Sequence, residues 1–553
     1  MSSETGTHGR WKWLAVAAAV VHLGLSIHAA AIETPTVDEF GHLPAGCAYL
    51  RHGSFDLFAK NPPLMKMAMA LPVVLRTDSV VPSPQAQDLA SGWGPWRYGD
   101  RFMHANGSTY FELFFLARLV VVWMGIGCGL ILFLWARSLW GERAASLTTA
   151  MFLLTPLIVA HGHLATVDTG SMFSIFLTAF LLRYAYQHPG HVRFVVAGAA
   201  WGLALLVKYT AVILVPAILL IALIEDRKKP RQLAGRVGIV IATAMLVVNL
   251  GLGFDGSFRA LSEYHFVSSF GTSLQENLPD WLPVPLPQPY VEGFDAVKRD
   301  TESGEFGSYL MGEWSRHGWW YYDLFALSVK NPIPFSIMVL LCPWFLSRGR
   351  QPKSELVFIL APLLTLSFLM LSFNSVQIGV RYALPLMPFL FLCFASIWKQ
   401  ADGRVGRALR IIVPGWFALA LLSQHPGHLS YFNLAAGGER HGHELLIDSN
   451  LDWGQDLYRV PTALQNLQHD GPIGLLYFGH VDPALYGIEY HLVPPRPVEG
   501  VIAVSVNYLM GYPYPATRPD GSRVSIRPDH LAWLTDIEPI ERLGSIWIYD
   551  TRR

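Results

Sequence analysis

Long apolar runs alternate with short polar connections along most of this chain. Eleven windows have a composition typical of membrane-crossing helices, and several are shorter than the ~20 residues that cross a bilayer without tilt. The windows cover residues 13–32, 113–136, 144–160, 169–186, 194–207, 210–224, 237–253, 323–346, 355–373, 383–398 and 411–424. The pattern predicts a polytopic α-helical membrane protein with about eleven transmembrane helices, the first of them retained rather than cleaved as a signal peptide.

The composition supports this fold class. Of the 553 residues, 52% are hydrophobic and only 15% are charged, whereas soluble domains carry roughly 25% charged residues. The net charge is zero, so no basic field is available to bind nucleic acid. Three of the four cysteines lie in apolar runs, which argues against a disulfide framework.

Lysine and arginine are concentrated in every second connection. The basic connections are residues 137–143, 225–236, 347–353 and 399–410, and the positive-inside rule places them in the cytoplasm. The N-terminus, with Arg10 and Lys12, is then also cytoplasmic, and eleven spans place the C-terminal Arg553 outside.

Three long segments share the predicted outer side: residues 33–112, residues 254–322 and everything after residue 424. In the last of them, "HELLIDS", "PIGLLYFG", "VIAVSVNYL" and "SIWIYD" are typical of strands, and "QDLYRVPTALQNLQ" is typical of an amphipathic helix. We therefore predict a transmembrane module over residues 1–424 and a small extracytoplasmic α/β domain over residues 425–553.

The stretch "TPTVDEFGH" places two adjacent carboxylates, Asp38 and Glu39, just after the first apolar run. A carboxylate at the outer mouth of a helix bundle is a candidate general base. The alternative is a helix cap, because Thr36 and Glu39 have the spacing of a capping box. Glu39 and His42 also have the Glu-x-x-His spacing of bundle metal sites, but no apolar run supplies a second such motif.

Four cations on the outer side are candidate ligands of a phosphate. Lys60 and Lys66 flank the prolines of "KNPPLMK", and Lys208 and Arg381 lie within or at the edge of apolar runs. Charges in such runs are costly, so a functional partner is expected for Lys208 and Arg381. For Lys60 and Lys66 the alternative is snorkelling to the lipid headgroups.

Two further polar motifs face the same side. "HGHLATVD" contains His161, His163 and Asp168; two histidines without a third ligand are weak evidence for metal, and Asp168 at a helix start has the alternative role of a cap. "DSNLDWGQD" has the first spacings of a calcium loop, but position 12 is Arg459. We predict a turn before a helix there, with Ca²⁺ as the alternative.

In their order along the chain these motifs resemble the GT-C glycosyltransferases. The acidic pair, the "PPL" turn, "VD" at residues 167–168 and "KY" at residues 208–209 resemble bacterial relatives of the protein O-mannosyltransferases and of the lipid A aminoarabinose transferase. "YLMGEWSRHGWWYY", "VKNPIP" and "DSNLDWGQDL" are similar to the same wider family. Asn61 stands where the mannosyltransferases have histidine before the two prolines.

The resemblance implies transfer of a sugar from a polyprenyl-phosphate donor to an extracytoplasmic acceptor (a protein, lipid or glycan), usually with inversion, at a bacterial inner membrane. It implies that Asp38 acts as the base, and Glu39 would tune it. It requires no cofactor, with a divalent metal as an open alternative. Charge, rather than the resemblance, assigns the carrier phosphate to four cations: Lys60, Lys66, Lys208 and Arg381. Five further residues are candidates for the site: His42, His163, Asp168, Tyr209 and Tyr382.

Two other classes of protein fit the same sequence. A polytopic transporter would also bury charges, although the spans show no repeat in two halves and the long loops gather on one side. A non-catalytic assembly factor for envelope polysaccharide is the second alternative.

Overall fold

The computed structural model describes residues 11–53, 55–89, 92–349, 351–373 and 376–552. Arg10 and Arg553, used in the topology prediction, lie outside these residues, and the orientation of both termini stays a prediction.

Helices make up most of the described chain. They are α1 (Lys12–Ile32), α2 (Val37–His52), α3 (Pro63–Val74), α4 (Ala86–Leu89), α5 (Gly94–Asn106), α6 (Tyr110–Trp140), α7 (Glu142–Leu153), α8 (Pro156–Gly162), α9 (Asp168–Gln187), α10 (His191–Val207), α11 (Leu214–Asp226), α12 (Pro230–Gly251), α13 (Ser269–Asn277), α14 (Gln288–Ser303), α15 (Tyr322–Val329), α16 (Ile333–Arg348), α17 (Lys353–Phe373), α18 (Met387–Gln400), α19 (Gly403–Ser423), α20 (Gly442–Leu445), α21 (Val460–Asn466) and α22 (Val506–Leu509).

The predicted polytopic helical class is confirmed. Within the described residues, seven helices are long and apolar enough to cross a membrane, or eight if α7 and α8 form one bent span. The bend of 60° between α7 and α8 precedes Pro156, which has no N–H for a continuous helix. The remaining predicted windows fall on α9, on α10 and on the pair α15–α16, the last broken by "NPIP".

The three long segments contact one another, as their shared predicted side requires. The backbone N–H groups of Thr34 and Val37 donate to the carbonyls of Gln455 and Trp453, each at 3.0 Å. This pair of bonds joins the start of α2 to the C-terminal region, and Lys60 Nζ lies 2.6 Å from Asp300 Oδ2 in the middle segment. The first loop therefore contacts both other segments.

Helices α2 and α3 pack closely because Gly46 has no side chain. A Cβ at this position would lie 2.1 Å from the Lys66 carbonyl oxygen, which no larger residue could tolerate. The contact fixes the "KNPPLMK" turn against the helix that carries Asp38.

The strands lie in the middle segment and in the C-terminal region. They are β1 (Ser308–Leu310), β2 (Glu313–Ser315), β3 (Ile473–Leu476), β4 (Tyr490–Leu492), β5 (Val501–Ser505), β6 (Pro515–Thr517), β7 (Arg523–Ser525), β8 (Glu541–Leu543) and β9 (Ile546–Asp550). Five of them form a mixed sheet in the order β4-β3-β5-β9-β8, with β3 parallel to β4 and β5, and β9 antiparallel to β5 and β8.

Three of the four predicted C-terminal strands are confirmed as β3, β5 and β9, and the predicted helix appears as the shorter α21. The prediction of a strand at "HELLIDS" is wrong. Its first residues lie in α20, and Asp448 has a φ of 57°, a left-handed conformation that a strand cannot contain. The Asp448 N–H donates to the Asn507 side chain at 2.8 Å rather than to a neighbouring strand.

Candidate active site

Asp38 is placed by the first turn of α2. Thr36 and Glu39 form a reciprocal capping box there, which fixes the helix start and turns the Asp38 side chain into a cavity of about 300 Å³. The Asp38 side chain is 24% exposed and accepts a hydrogen bond from Arg381 Nη1. We call this space the inner cavity.

Opposite charges alternate along one wall of the inner cavity. Arg381 contacts Asp38 and lies 3.9 Å from Asp168 Oδ2, and Lys208 Nζ lies 2.5 Å from Asp168 Oδ1. The Lys208 ammonium also lies 4.9 Å from the centre of the Tyr382 ring. Each cation predicted to need a partner has one, and both cations line the same cavity.

Most of the predicted site residues meet here, although they come from distant parts of the sequence. The inner cavity is lined by Asp38, His42, Lys60, Asp168, Lys208, Tyr209, Arg381 and Tyr382, among others.

His42 is buried against the ring of Phe58 at the back of this cavity. Burial lowers the pKa of His42 to about 4, despite the opposing effect of Asp38, so the ring is neutral at neutral pH. Within the described residues neither ring nitrogen has a hydrogen-bond partner. A neutral imidazole offers one donor and one acceptor to a bound molecule.

Glu39 is fully buried and does not belong to the described lining of the cavity. Both of its oxygens bind the Arg118 guanidinium, at 2.7 and 2.8 Å, and it also accepts from the N–H groups of Thr36 and Ala165. Burial alone would raise the pKa of Glu39, but Arg118 holds it below its ordinary value. The capping interpretation is confirmed, and the saturated carboxylate leaves Glu39 no oxygen for chemistry.

Lys66 and His163 also lie away from the cavity lining that the structure describes. Lys66 Nζ donates to the carbonyls of Phe58 and Asn61, both at 2.7 Å, and burial lowers its pKa well below the ordinary value. It stabilises the turn before α3 instead of facing a phosphate. His163 contacts Glu33 Oε2 at 2.9 Å.

A second cavity of about 310 Å³ adjoins the inner cavity at Asp38. It shares Asp38, Lys60, Trp96 and Arg381 with the inner cavity, together with Phe306 and Ile378. We call it the aromatic cavity, because its remaining lining is Val37, Gly92, Trp93, Asp448, Trp453, Phe478, Tyr512 and Tyr514.

The "DSNLDWGQD" segment positions Arg381 between the two cavities. The Val380 N–H donates to Asn450 Oδ1 at 2.8 Å, the Ser449 hydroxyl donates to the Ile378 carbonyl at 2.7 Å, and the Arg381 guanidinium stacks 4.2 Å from the Trp453 ring centre. These bonds hold the turn that carries Arg381 against the C-terminal region. The predicted turn before a helix is confirmed.

The side chains with the calcium-loop spacing in this segment have partners within the protein, and the calcium alternative stays a prediction. Asn450 binds Tyr322 and the Val380 N–H, and Asp452 accepts from the Gly454 N–H at 3.1 Å, so the side chains point to different partners. Within the described residues no group of three or more His, Cys, Asp or Glu is arranged to hold a metal ion. Burial raises the pKa of Asp448 to about 6.

Asp452 gives a prediction about stability and pH. Burial raises the pKa of its carboxyl to about 8, so the folded protein keeps a proton that the unfolded chain releases near pH 4. Between these values the folded state binds more protons, and stability falls as pH rises, by up to about 1.4 kcal/mol per pH unit. We expect Asp452→Asn, which mimics the protonated acid, to flatten this dependence in unfolding measured from pH 5 to 8.

The control is Asp470→Asn, which replaces an exposed carboxylate of the same region. It should leave the slope of stability against pH at the parent value. An Asp452→Asn protein with the parent slope would contradict the prediction.

Several residues of the site escape sequence reasoning. Arg118 and Lys330 sit in or beside apolar runs, so the cost argument that singled out Lys208 applies to them equally. Lys330 Nζ donates to the carbonyls of Leu429 and Asn450, at 2.8 and 2.6 Å. The aromatic residues that line the aromatic cavity give no comparable signal in the sequence, because aromatic residues are frequent throughout this chain.

Residues 110–251 match the family Dolichyl-phosphate-mannose-protein mannosyltransferase. The predicted resemblance to the mannosyltransferases is confirmed within this segment, which includes Arg118, Asp168 and Lys208 but not Asp38. A comparison with curated protein sequences finds no match.

Two solved structures are similar to this chain over most of its length. ArnT from Cupriavidus metallidurans, bound to undecaprenyl phosphate, is 12% identical, with a TM-score of 0.49 and coverage of 97% of both chains. The archaeal oligosaccharyltransferase AglB from Archaeoglobus fulgidus, in complex with an inhibitory peptide and a dolichol-phosphate, is 10% identical, with a TM-score of 0.44 and coverage of 93% of this chain and 74% of that chain.

Proposed function

We propose that this protein is a membrane glycosyltransferase that moves a sugar from a polyprenyl-phosphate donor to a hydroxyl group of an extracytoplasmic acceptor. The observation that carries the proposal is the position of Asp38, which opens to two cavities and contacts Arg381 between them. The match of residues 110–251 to mannosyltransferases supports the same reaction class.

The inner cavity suits the donor phosphate. Arg381 has five N–H donors and Lys208 has three, and their contacts with Asp38 and Asp168 occupy only some of them. Arg381 Nε is buried and has no hydrogen-bond partner within the described residues. A phosphodiester anion would accept charge-assisted bonds from both cations, with Lys60 at the rim and the neutral His42 toward the sugar hydroxyls.

The transfer step follows from this arrangement. The acceptor hydroxyl oxygen forms a bond to the anomeric carbon while the bond from that carbon to the phosphate oxygen breaks. The electron pair of the broken bond leaves with the carrier phosphate, and the hydroxyl proton passes to Asp38. Inversion requires the hydroxyl to attack from the side opposite the leaving phosphate, and we assign this attack to an acceptor in the aromatic cavity. The cations of the inner cavity stabilise the charge that develops on the phosphate.

Lys208 provides a prediction about the carrier. We expect Lys208→Met to weaken binding of undecaprenyl phosphate by about tenfold to a hundredfold, because one charge-assisted bond contributes about 1.5–3 kcal/mol. Titration of the purified protein in lipid nanodiscs with undecaprenyl phosphate measures it. Lys228→Met, at an exposed lysine of a basic connection, is the control, and equal affinities of the two variants would contradict the role of Lys208.

The reaction itself is tested with purified protein in nanodiscs. Undecaprenyl-phosphate-linked sugars are supplied one at a time with an extract of envelope acceptors, and release of undecaprenyl phosphate is measured. We expect release that depends on both the protein and one of the sugars. Passage of an intact labelled sugar into sealed vesicles without cleavage of any donor would instead make the protein a transporter and refute the proposal.

A further inference from the structure

The aromatic cavity combines two kinds of group that recognise sugars. Its walls include the rings of Trp93, Trp96, Trp453, Tyr512 and Tyr514. The faces of such rings carry negative charge density and attract the weakly positive C–H groups of a pyranose ring. Beside them the cavity offers carboxylates and cations that can bind hydroxyl groups.

We propose that the aromatic cavity binds a carbohydrate ring of the acceptor, with Asp448 accepting a hydrogen bond from one of its hydroxyl groups. The inference rests on the proposed function and specifies its acceptor class as a glycan or a glycolipid headgroup rather than a peptide.

Asp448 is held for this role by an unusual backbone. Its φ of 57° lies in the left-handed region, which costs energy and occurs at functional sites when the surroundings enforce it. Here the Asn507 side chain accepts from the Asp448 N–H at 2.8 Å, and the Ser449 N–H donates to Asp448 Oδ1 at 2.5 Å. The carboxylate is thereby fixed at the wall of the cavity instead of turning to solvent.

The position of the cavity explains why its occupant would be an acceptor. Asp38 and Arg381 line both cavities, so a ring in the aromatic cavity brings a hydroxyl group next to Asp38. A donor in the inner cavity would present its anomeric carbon to the same group. The volume of about 310 Å³ lies at the lower end of the range for small-molecule sites, about 300–1,000 Å³.

A peptide acceptor fits the cavity less well. Extended peptides that bind by β-augmentation gain their affinity by pairing with the exposed edge of a sheet. None of the residues that line the aromatic cavity lies within the described strands β1 to β9. The walls are side chains from loops and helix ends, which suit a ring rather than a backbone.

The test uses the full-length protein in fluorescently labelled nanodiscs, applied to an array of bacterial glycans and to an array of peptides. The variants are Trp93→Ala, at a side chain that is 40% exposed and therefore replaceable, and Asp448→Asn. Asparagine tolerates the left-handed region, so the second variant keeps the backbone. Trp281→Ala, at a 74% exposed tryptophan of another outer loop, is the control.

We expect the parent and Trp281→Ala to bind a common set of glycans. Trp93→Ala should weaken that binding about three- to tenfold through loss of one aromatic face, and Asp448→Asn at least about tenfold through loss of a charged acceptor. Absence of glycan binding, unchanged binding by both variants, or binding of peptides that Trp93→Ala abolishes would overturn the inference.

Undecaprenyl phosphate is titrated against the same preparations to separate this inference from the proposed function. Normal carrier binding without glycan binding refutes only the acceptor assignment. Glycan binding that responds to the variants, in a protein that does not bind the carrier, supports the aromatic cavity as a sugar site and refutes the proposed donor. Absence of both carrier binding and glycan binding refutes both the proposed donor and the acceptor assignment.

Discussion

Replacing Asp38 with asparagine is expected to lower the rate of single-turnover sugar transfer by about 10² to 10⁴, the range for loss of a general base. Asparagine keeps the size of the side chain and an oxygen that can accept from Arg381, so the cavity should keep its shape. It cannot take the proton of the acceptor hydroxyl. Asp38→Asn therefore separates proton transfer from packing, whereas alanine would change both.

The measurement is quenched-flow transfer from an undecaprenyl-phosphate sugar, with carrier binding titrated on the same preparation. Asp56→Asn removes an exposed carboxylate from the same loop and should retain the parent rate. A rate within about threefold of the parent, below any effect expected for a base, would show that Asp38 is not the base. The carboxylate of Asp168 would then be the next candidate, because it lines the inner cavity.

Breaking the buried pair of Glu39 and Arg118 is expected to have the largest effect on stability. Arg118→Leu would leave a fully buried carboxylate without its cation, and such a loss costs about 3–5 kcal/mol. Arg118 also donates to the carbonyls of Ala30, Glu33 and Thr34, at 3.0, 2.7 and 3.2 Å. The same replacement therefore loosens the junction between α1 and α2.

Reversible unfolding in mixed detergent micelles measures this cost. Arg143→Leu is the control, because its partner Asp402 is exposed and surface pairs contribute about 0–1 kcal/mol. The double variant Glu39→Gln/Arg118→Leu removes the unpaired charge and should be more stable than Arg118→Leu alone. If Arg118→Leu destabilised the protein no more than Arg143→Leu, the pair would have no structural role.

The helical architecture could be predicted from the sequence because its cause is local. A run of apolar residues specifies a buried helix whatever its neighbours are. Each of the eleven windows is mostly helical, although the windows 144–160 and 323–346 are each divided between two helices. The cost of a charge in an apolar run is equally local, and this cost identified Lys208 and Arg381 as candidate site residues. The same argument applied to Arg118 would have predicted that this cation has a partner, but not that the partner is Glu39.

The functions of adjacent residues could not be separated in the same way. Asp38 and Glu39 differ by one position, and their separation into a cavity residue and a structural residue depends on Arg118, 79 positions further along. Lys60 precedes α3 and lines the inner cavity, whereas Lys66 lies within α3 and is turned away from that cavity. The strand predicted at "HELLIDS" failed because Asn507, far along the chain, binds the Asp448 N–H.

The two backbone bonds between the start of α2 and residues 453–455 limit how this protein could be recombined. An exchange of the whole C-terminal region at residue 425 would also remove the support of Arg381 and one wall of the aromatic cavity. A chimera that keeps Thr34 and Val37 with their own partners must take its junction after Asp456. Residues 425–456 are therefore inherited or engineered together with the transmembrane half. The exchanged part must still supply Asn507, which binds Asp448, and the aromatic side chains of residues 478, 512 and 514.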